Sequence, residues 1–278
     1  MTKKIIGCIV YFLLIFGAII TLSGCACPKN PGPLSSDRPG ATTSPGIVPP
    51  CYPQLELGWT HTENKDANGT RTKNDQFPNT LLRFGVVPNA EIRVGYVGYN
   101  WQNTNPGNEA GSSSSGSGDA NLAVKYRFLE ADGWLPESAF LGQLSLPVGA
   151  KNFSSNRADP SFLFAFTNPL TDFLSFSYNL GAAWQTVQDS DTDQNHTLST
   201  FNYTASLGFT LTEQLGAFIE AYGSIAMNPS NSPSNAIDGG FTYLILENFQ
   251  VDISGGKGIS EAATDWYVGA GFTYRYPR

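Results

Sequence analysis

The sequence predicts an all-β protein: an antiparallel transmembrane β-barrel, closed, of about twelve strands. Three observations carry that expectation. Charged residues make up only 14% of the 278-residue chain, against roughly 25% in a soluble domain, while aromatics reach 13% and glycines number 29. From Leu55 onward, segments of about ten residues alternate apolar and polar side chains without helical periodicity, the repeating signature of membrane strands. The connections between them alternate between short and long, as in barrels with tight turns at one rim and loops at the other. A mean hydropathy of −0.18 excludes a helical membrane protein.

The amino terminus has a different character. Lys3 and Lys4 precede an apolar run from Ile5 to Ile20, the layout of an export signal. It ends in Leu22-Ser23-Gly24-Cys25, which resembles the bacterial lipobox, in which the cysteine is acylated and becomes the first mature residue. Residues 1–24 are therefore expected to be a lipoprotein-type export signal, with Cys25 the site of lipid attachment. Ala26 in the next position favours passage to the outer membrane among lipoproteins. Cleavage there lowers Lys+Arg from 16 to 14 against 23 Asp+Glu, so the net charge moves from −7 to −9. That acidity argues against nucleic acid as a partner.

Residues 25–53 are rich in cysteine and proline and read as an extended periplasmic spacer. Cys27 and Cys51 flank it, and an oxidising compartment would let them pair, although no spacing requires it. A metal site is not expected, because Cys25-Ala26-Cys27 has the wrong spacing and no histidine lies nearby. No other cofactor is implied.

The barrel itself is expected over residues 54–278, with strands at 55–64, 79–88, 91–102, 118–129, 137–148, 160–168, 173–186, 199–212, 215–226, 235–246, 249–258 and 265–276. The clearest alternation sets Phe201, Tyr203, Ala205, Leu207 and Phe209 against Asn202, Thr204, Ser206, Gly208 and Thr210. The long connections are expected at 65–78, 103–117, 149–159, 187–198, 227–234 and 259–264, with the serine–glycine run 111–118 as external loop. An even strand count places both termini at the tight-turn, periplasmic rim of a bacterial outer membrane. Lipid offers no hydrogen bonds, so the first and last strands must pair. Gly271, Tyr274 and Tyr276 fit the glycine-x-x-aromatic-x-aromatic form of a terminal strand that barrel-assembly machinery recognises.

Assigning the polar parity of each strand inward collects ten charges expected to line the lumen: Glu56, Arg83, Glu91, Arg93, Lys125, Arg127, Glu220, Asp238, Asp252 and Arg275. The bases fall mostly on early strands and three of the acids on late ones. Two arrangements are compatible with this. The walls could hold a transverse field that orients solutes, or the charges could pair across a narrow interior and stiffen it.

Catalysis finds little support. His61 and His196 are the two histidines, neither has a serine two residues on, and no Gly-x-Ser-x-Gly elbow occurs. Asp119 fits a strand-entry turn better than a calcium ligand, and Asp189, Asp191 and Asp193 fit a solvated loop better than a cation site.

Two short motifs resemble a known family. Gly118-Asp119 precedes a strand containing Lys125-Tyr126-Arg127, and a later strand ends in Leu146-Pro147-Val148-Gly149. This is similar to the outer-membrane proteins described as transporters of the meta-pathway of phenol degradation. The resemblance covers about residues 52–278. It implies a barrel that passes small, often hydrophobic or aromatic solutes, without establishing phenol as the solute. Outer-membrane lipid, the assembly machinery and a small-molecule solute are the partners expected. The other reading is a structural or adhesive surface protein whose plugged barrel displays its external loops.

Overall fold

The computed structural model describes residues 27–107, 110–188, 195–227 and 232–277. Its strands are β1 (Gln54–Lys65), β2 (Arg71–Val87), β3 (Ala90–Tyr96), β4 (Tyr99–Asn105), β5 (Ser112–Ser117), β6 (Ala120–Leu129) and β7 (Glu137–Leu146). They continue with β8 (Asp159–Pro169), β9 (Leu174–Gln188), β10 (Asn195–Thr210), β11 (Leu215–Ala226), β12 (Ser234–Leu246), β13 (Phe249–Gly258) and β14 (Trp266–Arg275). All strand pairs are antiparallel, and β1 pairs with β14 on one side and β2 on the other, which closes the sheet. Both β3 and β4 pair with β2, while β6 and β5 pair with β3 and β4 in turn. Each of these couples is one stave interrupted by a kink. Fourteen segments thus form a closed barrel of twelve staves.

The alternation places the two faces. On β6, Leu122, Val124, Tyr126 and Phe128 are 39–52% exposed, while Ala123 and Lys125 are at most 2% exposed. The apolar parity faces outward because a membrane-spanning wall must present hydrocarbon to lipid, and the polar parity is left inside. At the kinks, the Val97 amide donates to the Asp119 carbonyl at 2.9 Å and the Gly118 amide to the Gly98 carbonyl at 2.7 Å, so the ladder resumes across the break. Gly98, at φ +98°, takes a backbone conformation that other residues rarely adopt.

Two expected loops are strand instead. The stretch 65–78 contributes the start of β2 from Arg71, leaving a turn in which the Asp66 carboxylate accepts from the Asn68 and Thr70 amides at 2.9 Å. The serine–glycine run is β5, laddered to β4 from Tyr99↔Ser117 to Thr104↔Ser112. Such a composition has weak strand preference, but a paired neighbour supplies what propensity does not. These extensions start level with Tyr99 and Trp101 and run outward from there toward the long loops. Out there no apolar parity is needed, so none is written in the sequence.

The larger difference concerns residues 27–51. Rather than extending as a spacer, this segment lies within the cylinder. Cys27 and Cys51 are disulfide-bonded, with Cα atoms 5.6 Å apart. Between them the chain hydrogen-bonds to β1, β2, β3, β6, β9, β10, β11, β13 and β14. Those strands encircle the barrel, so a single segment reaches them all only from inside. It enters at the tight-turn rim, where the Arg275 guanidinium donates to the carbonyls of Gly32 at 2.7 Å and Pro33 at 3.0 Å. Proline and glycine keep the segment from pairing with itself, and its buried backbone groups need partners. The inward side chains of the wall provide them.

Candidate functional site

The interior is organised by two adjacent residues of the inserted segment that face opposite walls. Asp37 turns to β2, β3 and β6. Its carboxylate pairs with the Arg93 guanidinium, lies 3.5 Å from Lys125 Nζ and 3.9 Å from Arg83 Nη1, and accepts from the Ser44 amide at 3.1 Å. The same wall carries Glu91, 2.9 Å from Arg83 Nε, and Glu56, 3.0 Å from Arg83 Nη1. Three cations then face three carboxylates, of which the wall supplies only two; Asp37 completes neutrality. Burial alone would raise the Asp37 carboxyl, but Lys125, Arg83 and Arg93 outweigh it and hold it well below the usual carboxylate range. The wall also grips the segment's backbone. Arg83 donates to the carbonyls of Ser35 at 2.8 Å and Gly46 at 2.9 Å, Lys125 to that of Ser44 at 3.0 Å, and the Val48 amide donates to Glu91 at 2.7 Å.

Arg38 turns the other way, to Asp252 on β13, with two bonds at 2.9 and 3.2 Å. It crosses Gly58 and Gly271, which are register partners on β1 and β14. A Cβ at Gly58 would stand 2.1 Å from Arg38 Nη1, and one at Gly271 would stand 2.5 Å from Nη2. The glycine of the proposed assembly signal therefore also makes room for this guanidinium. Further round, Glu220 on β11 accepts from the Ala41 amide, from the Thr42 amide at 2.9 Å and from the Thr42 hydroxyl. The third sector is neutral. Asn179 on β9 accepts from the Thr43 amide at 2.7 Å and donates to its carbonyl at 2.9 Å, while the Thr204 hydroxyl of β10 lies 2.8 Å from that of Thr42.

Nine of the ten predicted lumen residues are at most 9% exposed: Glu56, Arg83, Glu91, Arg93, Lys125, Glu220, Asp238, Asp252 and Arg275. Arg127 sits apart at the tight-turn rim, half-buried and paired with Glu130 and Glu137 at 3.1 Å. Asp238 accepts from the Tyr267 hydroxyl and stands opposite Glu220 in the ladder. The opposed walls expected from the sequence do face each other, but the inserted segment stands between them and answers each with its own charge or dipole. Sequence reasoning missed Asp37 and Arg38, although they are the sole charges between residues 30 and 50. It also missed Asn179 and Thr204, which carry no signal beyond polar parity.

Elsewhere, Tyr274 lies outward on β14 and Tyr276 donates its amide to the Pro53 carbonyl at 2.9 Å. His61 pairs with Asp75 at 3.0 Å near Trp266, and His196 lies on β10. The Asp119 carboxylate accepts from the Gly149 amide at 3.0 Å, which ties the two short motifs of the sequence to each other. Cys25, the export signal and the loop Asp189–Asp193 lie outside the described residues.

Cavities flank the inserted segment. One of about 640 Å³ opens at the long-loop rim between Gln143, Ser145, Asp159, Ser161 and Gln185. It shares Gln143, Ser161 and Ala183 with a cavity of about 240 Å³ below it, lined by Leu141, Leu163, Asn179, Thr204 and Ala41. On the other side of the segment lies a hydroxyl-lined cavity of about 270 Å³, among Thr42, Ser177, Ser206 and Thr242. This one shares Thr210, Gly216 and Thr242 with a mouth of about 670 Å³ at the tight-turn rim.

A closed cylinder with an apolar outer band and a charged, occupied interior defines an outer-membrane β-barrel. Within that class, the chain belongs to the family described as "Putative MetA-pathway of phenol degradation", whose model matches residues 36–276. The match begins inside the inserted segment. The COG4313 outer membrane channel from Pseudomonas putida F1 has a similar structure, with a TM-score of 0.67 at 12% identity over 86% of this chain and 99% of that one. The translocator domain of the autotransporter NalP from Neisseria meningitidis gives 0.54 at 10% identity, covering 86% and 90%. The NanC porin gives 0.50 at 8% identity, covering 80% and 98%. At such identities these likenesses establish the fold. A comparison with curated protein sequences finds no match.

Proposed function

We propose that this protein is an outer-membrane channel for small solutes, held closed by residues 27–51. The observation that carries this reading is the arrangement of cavities: those opening at the two rims share lining residues with inner ones that lie against the inserted segment from either side. In this reading the tight-turn rim is periplasmic, and an acylated Cys25 lies within reach of the inner leaflet. Solutes enter at the long-loop rim and pass a stretch of wall where Leu141 and Leu163 interrupt the polar lining. Small solutes with an apolar or aromatic body fit that stretch, and the P. putida channel, a structural relative, is consistent with passage of some kind. Assembly machinery and outer-membrane lipid remain partners in this scheme, and no catalytic step is assigned.

The buried charges favour a second reading, a plugged barrel that serves as a platform for its loops. Reconstitution separates the two. Proteoliposomes carrying the full mature chain should swell in small neutral and aromatic solutes faster than empty vesicles. No swelling with any solute, together with silent planar bilayers, would leave the platform as the better account.

A further inference from the structure

The contacts of the inserted segment are not equivalent around the barrel. Toward β1, β2, β3 and β6 it is held by the Asp37 cluster and by guanidinium and ammonium bonds to its carbonyls. Toward β11 and β13 it is held by Glu220 and by the Arg38–Asp252 pair. Bonds with one ionised partner are roughly twice as strong as neutral ones. Toward β9 and β10 the wall offers neutral partners: the Asn179 side-chain amide to Thr43 and the Thr204 hydroxyl to that of Thr42, which Glu220 holds from its other side.

That neutral sector is also where the cavities approach one another. Asn179, Thr204 and Ala41 line the upper cavity, while Ser177, Ser206 and Thr42 line the lower one. On each of β9, β10 and the segment, the residues lining the two cavities are one or two positions apart. The upper cavity is continuous with the long-loop vestibule and the lower one with the tight-turn mouth, through shared lining residues. Along β8–β11 the two cavities thus meet at one layer, where the wall of β9 and β10 contributes the neutral Asn179 and Thr204 and Glu220 holds Ala41 and Thr42 from the β11 side.

We propose that the Asn179 and Thr204 side chains, closed against Thr43 and the Thr42 hydroxyl, are the latch of the channel, and that solutes travel along the β8–β11 wall when they part from the segment. Asn179 and Thr204 are the gating residues. The charged anchors, Glu220 on Thr42 among them, hold the segment in place while the two wall side chains swing away from it, so opening does not expel it. This rests on the channel reading above, and the experiment is arranged so that the two can fail separately.

The test is solute-driven swelling of proteoliposomes with the full mature chain, using glycerol and phenol as probes. Each variant is first checked for the heat-modifiable mobility of a folded barrel. Asn179→Ala and Thr204→Val should each raise the swelling rate several-fold over wild type, and the pair more than either. Thr204→Val keeps the shape of the side chain and serves if Asn179→Ala does not fold. Adding Ala183→Trp, which fills the passage above the latch, should bring the rate down to or below the wild-type level. Swelling by wild type with no increase in folded latch variants would overturn the latch and leave the channel reading standing. An increase that survives Ala183→Trp would overturn the route. No swelling by wild type or any folded variant removes the channel reading and the latch with it.

Discussion

Asp37 and Arg38 show how much one dipeptide determines. Their side chains leave the backbone toward opposite walls, and each meets the sign of charge its wall lacks. Removing one partner of a buried ion pair costs about 3–5 kcal/mol, because the other charge is stranded in low dielectric. Asp37→Asn is expected to release the segment on its β2–β6 side, read as faster amide exchange over residues 35–48 with the barrel amides unchanged. Asp37 also sets a pH expectation. A carboxyl held below its unfolded value stabilises docking above the ordinary carboxylate range, and that contribution is lost only as pH falls through the lower, folded value. Exchange in this segment should accordingly be flat from neutral pH to about pH 5, since an unperturbed aspartate titrates near 3.9, and should rise in stronger acid. A rise already complete at pH 5 would contradict the geometry. The dipeptide is visible in the sequence as an isolated pair of charges. What it meets is not, since side-chain parity says which way a strand residue points and nothing about what else occupies the interior.

At the scale of elements, alternation located every stave, and the strands at 215–226 and 249–258 match to the residue. It failed where the membrane no longer imposes it. The start of β2 and all of β5 run from the level of Tyr99 and Trp101 toward the long loops, where lipid stops demanding an apolar face and the period-two signal fades. Glycines were the other hidden element. Gly58 and Gly271 read as unremarkable strand positions, yet their register across the β1–β14 seam lets Arg38 lie flat against the wall. Gly58→Val should push the guanidinium off Asp252. The expected result is faster proteolysis within residues 28–50 by an added protease, while heat-modifiable mobility of the barrel is kept. Equal protease resistance would mean the long, flexible arginine finds another course.

For the whole molecule, the inserted segment is a covalently closed loop that leads directly into β1. The Cys27–Cys51 bond joins residues 24 positions apart, and closing a loop of that length removes unfolded-state entropy on the order of 3 kcal/mol. Cys51→Ser is expected to loosen the entire segment, with higher exchange across residues 28–48 and a faster solute flux, while the strand ladder stays protected. Sequence reading left this pairing open because two cysteines in an oxidising compartment have no obligation to meet. It is the proximity of the segment's two ends at one rim that brings them together.

That same segment has a consequence for the order of events during biogenesis. It is made before any strand, yet the Ser36 hydroxyl bonds Thr273, Arg275 holds Gly32 and Pro33, and Arg38 bonds Asp252. Its partners are thus among the last residues to be synthesised, more than 200 positions away. Contacts so distant in sequence form late, and the Arg38 berth exists only once β1 has met β14. The earliest part of the chain is therefore the last to be seated, and a seated segment is a chemical record that the cylinder has closed.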